Sequence, residues 1–146
     1  MKQEYKDLLL KDLCARLPYG IKIKTSYDKM DEPIELIFIN PRNESFAIGS
    51  NFTLISGLDF DTYECKPYLF PFSSMTDEQK EEYNQSKLKD LRMLNSVLME
   101  RTSEGNNFDR FVVAYNETDW LNKNHFDYRG LIEKGLALDA TGLNIY

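Results

Sequence analysis

The run Ile34-Glu35-Leu36-Ile37-Phe38-Ile39 is almost continuously apolar, with Pro33 before it and Asn40-Pro41 after it. It is too short for a helix that stands alone, and its residues favour extended backbone. The run therefore predicts a central strand covered on both faces. Such a strand needs neighbours, and the flanking sequence supplies them. Ile21, Ile23 and Thr25 alternate with Lys22, Lys24 and Ser26, which gives one apolar face and one wet face. Asp28–Glu32, ending at Pro33, suits a hairpin connection, and Asn40-Pro41-Arg42-Asn43 reads as a tight turn. Phe46–Ile48 and Phe52–Ile55 are two further short strands, divided by Gly49-Ser50-Asn51. The pattern is an antiparallel meander of three or four strands.

On either side of that sheet the period changes. Tyr5, Leu8, Leu9, Leu13 or Cys14, and Leu17 paint a helical stripe over residues 3–17, which Pro18 and Gly20 end. Cys65–Phe72 carries Pro67 and Pro71, which disfavour a helix or a central strand and predict an extended strap across the core. Ser73–Gln79 is a helix start, with Ser74 and Asp77 or Thr76 and Gln79 as the capping pair. The first dozen helical residues, 76–87, are polar except for Tyr83, and a stripe then begins at Leu88. This segment is either one long helix or two that break near Asn84–Ser86. Phe108–Tyr115 is open between strand and helix. Thr118–Asn124 reads as a short helix, and Asp127 is placed to cap another over Tyr128–Lys134, stopped by Gly135. The last eleven residues suit an edge strand or a tail. The fold class is α+β: an N-terminal helix on a small antiparallel sheet, then a mainly helical C-terminal half. Residues 1–146 form one domain, with sub-regions 1–72 and 73–146.

Composition narrows the function classes. With 24 acidic and 18 basic residues the net charge is −6, which disfavours a broad grip on nucleic acid or on an anionic membrane. No apolar run approaches the roughly 20 residues a membrane helix needs. The N-terminal residues mix acids and bases among their leucines, unlike a signal peptide. A soluble protein of the reducing cytoplasm is the expectation. Cys14, Cys65 and His125 match no zinc spacing. There is no P-loop, no Gly-x-Gly-x-x-Gly and no Gly-x-Ser-x-Gly. No catalytic residue, cofactor or metal is assigned.

Three blocks carry a resemblance. The first is Leu17-Pro18-Tyr19-Gly20. The second is Cys65–Gln79, with Lys66-Pro67-Tyr68-Leu69 and Ser73-Ser74-Met75-Thr76. The third is Asp119-Trp120-Leu121-Asn122 with His125-Phe126-Asp127-Tyr128-Arg129-Gly130-Leu131-Ile132-Glu133-Lys134-Gly135-Leu136-Ala137. Together they resemble a family of small uncharacterised proteins of gut Bacteroidetes, their prophages and their phages. The resemblance implies a phage or mobile-element product acting in the cytoplasm of a bacterial host, as an accessory protein that binds another protein, a host defence component included. It implies no activity and no catalytic residue.

The candidate partner-binding residues are Trp120, His125, Phe126, Tyr128 and Arg129, because aromatic residues and arginine dominate binding hot spots. The same aromatics equally anchor small cores. Two other classes stay in view. A small enzyme or ligand sensor would use His125, oriented by Asp127 or paired with Cys14 or Cys65, or clustered carboxylates. Asp59, Asp61 and Glu64, and Asp28, Asp31 and Glu32, are such clusters, and solvated turns are the simpler reading of both. A nucleic-acid-binding protein would use a basic patch around Lys22 and Lys24.

Overall fold

A computed structural model describes residues 1–27, 32–50, 53–101 and 115–146. Helix α1 (Gln3–Arg16) turns Lys6, Leu9, Leu10, Leu13 and Arg16 inward, a stripe spaced three and four apart. The expected stripe lies beside this one: Tyr5, Leu8 and Leu17 flank the core, half-buried. Cys14, which the spacing placed in the core, is exposed. A single 3-10 turn, Leu17–Tyr19, follows with Pro18 in its first positions, and Gly20 ends it at φ +72°, a left-handed conformation in which a Cβ is unfavourable.

Six strands form one mixed sheet in the order β4-β3-β2-β1-β5-β6. They are β1 (Lys22–Thr25), β2 (Ile34–Asn40), β3 (Ser45–Ser50), β4 (Thr53–Asp59), β5 (Cys65–Leu69) and β6 (Leu138–Asp139). The first four are the expected meander, and only the β5–β6 pair is parallel. The inward faces supply Ile21, Ile23, Leu36, Ile39, Phe46, Ile48 and Leu58, which join Leu9, Leu10 and Leu13 of α1 in one apolar core.

Two strands depart from expectation. β2 is covered on one face only: Ile34, Leu36 and Ile39 are buried, whereas Ile37 and Phe38 are 45% and 54% exposed. The cause is a bulge. The register against β3 slips between Leu36 and Phe38, so Ile37 is an extra residue and Ile39 is returned to the core opposite Phe46. β4 carries a matching slip between Leu58 and Ile55, where Gly57 takes φ +78°. The second departure is β5. Despite Pro67, the proline segment is an internal strand, paired with β1 from Cys65 to Pro67. On its other side β6 meets only Tyr68 and Leu69, so Pro67 faces no neighbour there and its missing N–H breaks no ladder on that side.

The chain divides into two compact units, one of Met1–Ser74 with His125–Tyr146 and the other of Met75–Asn124. In the second, Thr76 caps helix α2 (Asp77–Arg101). Its hydroxyl accepts from Gln79 N at 3.2 Å, and Thr76 N donates to Gln79 Oε1 at 2.9 Å. This is one of the two expected capping pairs. The helix runs through Asn84–Ser86 without a break. Helix α3 (Tyr115–Lys123) contacts it, with the Tyr83 and Trp120 rings 5.6 Å apart. Tyr83, the lone aromatic of the polar run, also donates its hydroxyl to Glu117 at 2.5 Å. Residues 108–114, open between strand and helix, lie outside the described residues, as do Asp28 and Asp31.

Residues 125–146 correct the expectation of a mainly helical C-terminal half. They form turns and the short strand β6 rather than a helix over Tyr128–Lys134. The reason lies at Asp127. Its two carboxylate oxygens accept the amides of Leu131 and Ile132, each at 2.8 Å, and Gly130 and Gly135 take φ +66° and +69°. That geometry winds a tight loop and drives Leu131, Leu136 and Ala137 into the core.

Candidate functional site

Charge is buried where α1 meets the returning C-terminal segment. Asp12 and Arg16, one turn apart on α1, are both fully buried. Arg16 Nε donates to Asp12 Oδ2 at 2.7 Å and Arg16 Nη2 to Asp12 Oδ1 at 3.1 Å. Arg16 Nη2 also donates to the carbonyl of Phe126 at 2.7 Å. Arg129 Nη1 approaches the same Asp12 Oδ1 at 3.2 Å. The Tyr128 ring serves both guanidiniums, 5.3 Å from that of Arg16 and 4.7 Å from that of Arg129. In so dry a place the carboxylate is what makes burial of the guanidinium tolerable.

His125 adjoins this network. It takes φ +58°, is 5% exposed, and stacks its ring on Tyr146 with centroids 3.9 Å apart. Its Nδ1 is buried with no hydrogen-bond partner. Burial, and then the charge of Arg16, hold its pKa down at about 4. The Tyr146 hydroxyl donates to Tyr68 O at 2.7 Å and accepts from Lys22 N at 3.1 Å, and burial pushes its pKa above the usual phenol range.

The candidate residues thus fall into two groups. His125, Phe126, Tyr128 and Arg129 gather around Arg16 and Asp12 in the first unit, whereas Trp120 belongs to the second. Phe126 is 1% exposed and stacks on Phe72, so it is core. Tyr128 and Arg129 are half-buried. Asp127 does not orient His125, since both its oxygens are bound to backbone amides. Sequence reasoning missed Asp12 and Arg16. Their signal was present, because the two stand four apart and Arg16 falls in the same stripe as Leu9 and Leu13.

The cysteines do not suit a nucleophile. Cys65 is buried, and desolvation, with the charge of Glu64 beside it, raises its thiol far above the usual range. Lys66, which could have lowered it, points its ammonium to Glu64 at 2.8 Å. Desolvation raises Cys14 as well. The loop carboxylates are engaged in structure. Asp59 accepts the amides of Asp61 and Thr62, and its pKa is lowered by the Thr62 side chain first and then by these amides. Asp61 and Glu44 both pair with the buried Lys6 of α1, at 2.7 and 2.8 Å, and raise its pKa. Among the described residues no three histidine, cysteine or acidic side chains converge as metal ligands, and no helix is long and apolar enough to cross a membrane.

Two surface features remain. On the sheet face away from α1, Ile37, Phe38 and Leu54 are exposed, Leu54 at 63%. They are neighbours: Leu54 pairs with Gly49, whose missing side chain leaves room for Ile37, and Phe38 pairs with Ala47. Lys24 and Lys66 pair across β1 and β5 on the same face. The other feature is a shallow cleft of about 310 Å³ in the second unit, lined by Glu81, Glu82, Gln85, Ser86, Lys89 and Trp120.

Comparison with protein families, with curated proteins and with solved structures finds no match to this chain.

Proposed function

We propose that the protein is a non-catalytic accessory protein that works by binding another protein, in the phage or mobile-element setting its sequence blocks suggest. The observation that carries this reading is the exposed Ile37–Phe38–Leu54 surface on the outer sheet face. Scattered apolar residues on a surface need no explanation, but adjoining large ones mark interaction sites. Here the bulge in β2 turns the adjacent Ile37 and Phe38 outward together, where strict alternation would bury Phe38 and expose Ile39. The apolar centre with lysines on the same face has the anatomy of a protein interface, dry in the middle and polar at the rim. The proposed face is therefore the sheet, not the C-terminal aromatic cluster, whose His125 and Phe126 are committed to internal contacts.

The test is capture from lysate of a bacterial host with the whole chain as bait, beside a Phe38→Asp, Leu54→Asp variant. Both side chains are more than half exposed, so the variant keeps its far-UV circular dichroism. A partner held by the natural chain across several salt concentrations and lost by the variant supports the reading. Equal capture by both chains, or none by either, removes it.

A further inference from the structure

The two edges of the sheet are built differently. β6 closes one edge with Leu138 and Asp139 alone, a short strand ending in a charge. Shortness and charge are the usual means by which an edge is kept from pairing with other chains. β4 closes the other edge with seven residues, and among the described residues no strand lies on its far side. From Thr53 to Leu58 it holds neither a charge nor a proline. Thr53, Leu54, Ser56 and Gly57 are exposed, while Ile55 is half-buried and packs against the core. In a strand paired on one side, every second residue turns its N–H and C=O away from its neighbour, so β4 offers these groups to another strand. One device limits the edge. The slip beside Gly57, at φ +78°, ends the regular run and leaves Thr53–Ser56 as the pairing stretch.

We infer that the β4 edge pairs antiparallel with the β4 edge of a second copy of this chain, about a two-fold axis normal to the sheet. The occupant follows from what such an axis does. Residues opposite one another in an antiparallel pair point to the same face, so Leu54 of one copy meets Leu54 or Ser56 of the other, and Ile55 meets Thr53 or Ile55. No like charges face each other across this seam, although each copy carries −6 overall. The axis also keeps both outer faces on one side, so the exposed Ile37, Phe38 and Leu54 of the two copies adjoin as one apolar surface. A foreign strand would satisfy the same backbone groups without extending that surface. The pairing is isologous and closes on itself, and the blunted β6 edge gives no route to a longer sheet. One short strand buries less than the roughly 1,200 Å² at which standard interfaces begin, so the dimer is weak and concentration-dependent. The seam lies on the edge and not on the face proposed above for a partner protein, and neither depends on the other.

Sedimentation equilibrium of the full chain up to about 1 mM reads the assembly, and the average mass should rise from one chain towards two. Hydrogen exchange followed by mass spectrometry should slow in β4, and not in β6, as the concentration rises. Ser56→Lys sets an ammonium near the axis at an exposed position, and should weaken the dimer about tenfold with circular dichroism unchanged. Phe38→Asp, two strands in from the edge, should leave the dimer as strong as in the natural chain, which separates this result from capture out of lysate. A chain that stays monomeric to about 1 mM, a dimer that Ser56→Lys leaves intact, protection that falls outside β4, or growth past two chains overturns the inference. Protection of β4 that appears only with a captured host protein assigns the edge to a foreign strand and overturns it as well.

Discussion

Asp12 is the residue whose loss should cost the fold most. Its carboxylate accepts Arg16 twice, at 2.7 and 3.1 Å, and Arg129 once, at 3.2 Å, and both Asp12 and Arg16 are fully buried. Asp12→Asn keeps the shape and removes the charge, so Arg16 stays in the interior without its carboxylate. Breaking a buried pair in this way costs about 3–5 kcal/mol, a large part of the roughly 5–15 kcal/mol that holds a domain together. At a urea slope of about 2 kcal/mol per molar, the midpoint followed by circular dichroism falls by about 2 M. Arg16→Met should be destabilising too, since it leaves the buried Asp12 to Arg129 alone and takes a donor from the Phe126 carbonyl. The double variant Asp12→Leu, Arg16→Met should recover stability, because an apolar pair of similar volume no longer buries charge; a coupling of about 2 kcal/mol or more is expected. A loss below about 1 kcal/mol in Asp12→Asn, or single effects that simply add in the double variant, would refute the reasoning.

Two further outcomes follow from buried groups. His125 has a pKa of about 4 in the fold against an ordinary 6.5, so between those values the unfolded chain binds the extra proton. Stability is therefore full above pH 6.5, falls as pH drops to about 4 and then levels, by about 3 kcal/mol at most. His125→Asn, which tolerates the positive φ, should flatten that part of the urea-stability profile, and an unchanged profile would assign the slope elsewhere. The thiols should differ sharply. In the native chain a disulfide-exchange reagent should titrate Cys14 and spare Cys65, Cys14→Ser should abolish the reaction, and Cys65 should respond only in denaturant.

The sheet was legible where side-chain alternation carries the information. Ile21, Ile23 and Thr25 face inward as their spacing with Lys22 and Lys24 demands, and Thr76 with Gln79 caps α2. β2 was misread because a bulge changes the parity of a strand without changing its composition, so an apolar run reads the same buried on one face or on two. β5 was misread because the effect of a proline depends on how far the neighbouring strand extends, and β6 lies some seventy residues away in sequence. The loop at Asp127 was expected as a helix because capping carboxylates look alike until it is known which amides they take. For the candidate site the limit was similar. The aromatics and Arg129 were visible as residue types, but what they surround, a charge pair on α1 more than a hundred residues earlier, is fixed by tertiary contact.

The return of residues 125–146 to the first unit sets a timetable for synthesis. Chains emerge at about 5–20 residues per second, so β5 waits some 4–14 seconds for β6. For that interval Leu69 has an open strand edge, Arg16 lacks the Phe126 carbonyl, and the core lacks Leu131 and Leu136. The nascent sheet is then incomplete and sticky along one side while the helices of the second unit are being made. A chaperone that shelters hydrophobic edges during translation would meet this protein at β5, and stalling the ribosome before residue 125 should trap the chain in a protease-sensitive form.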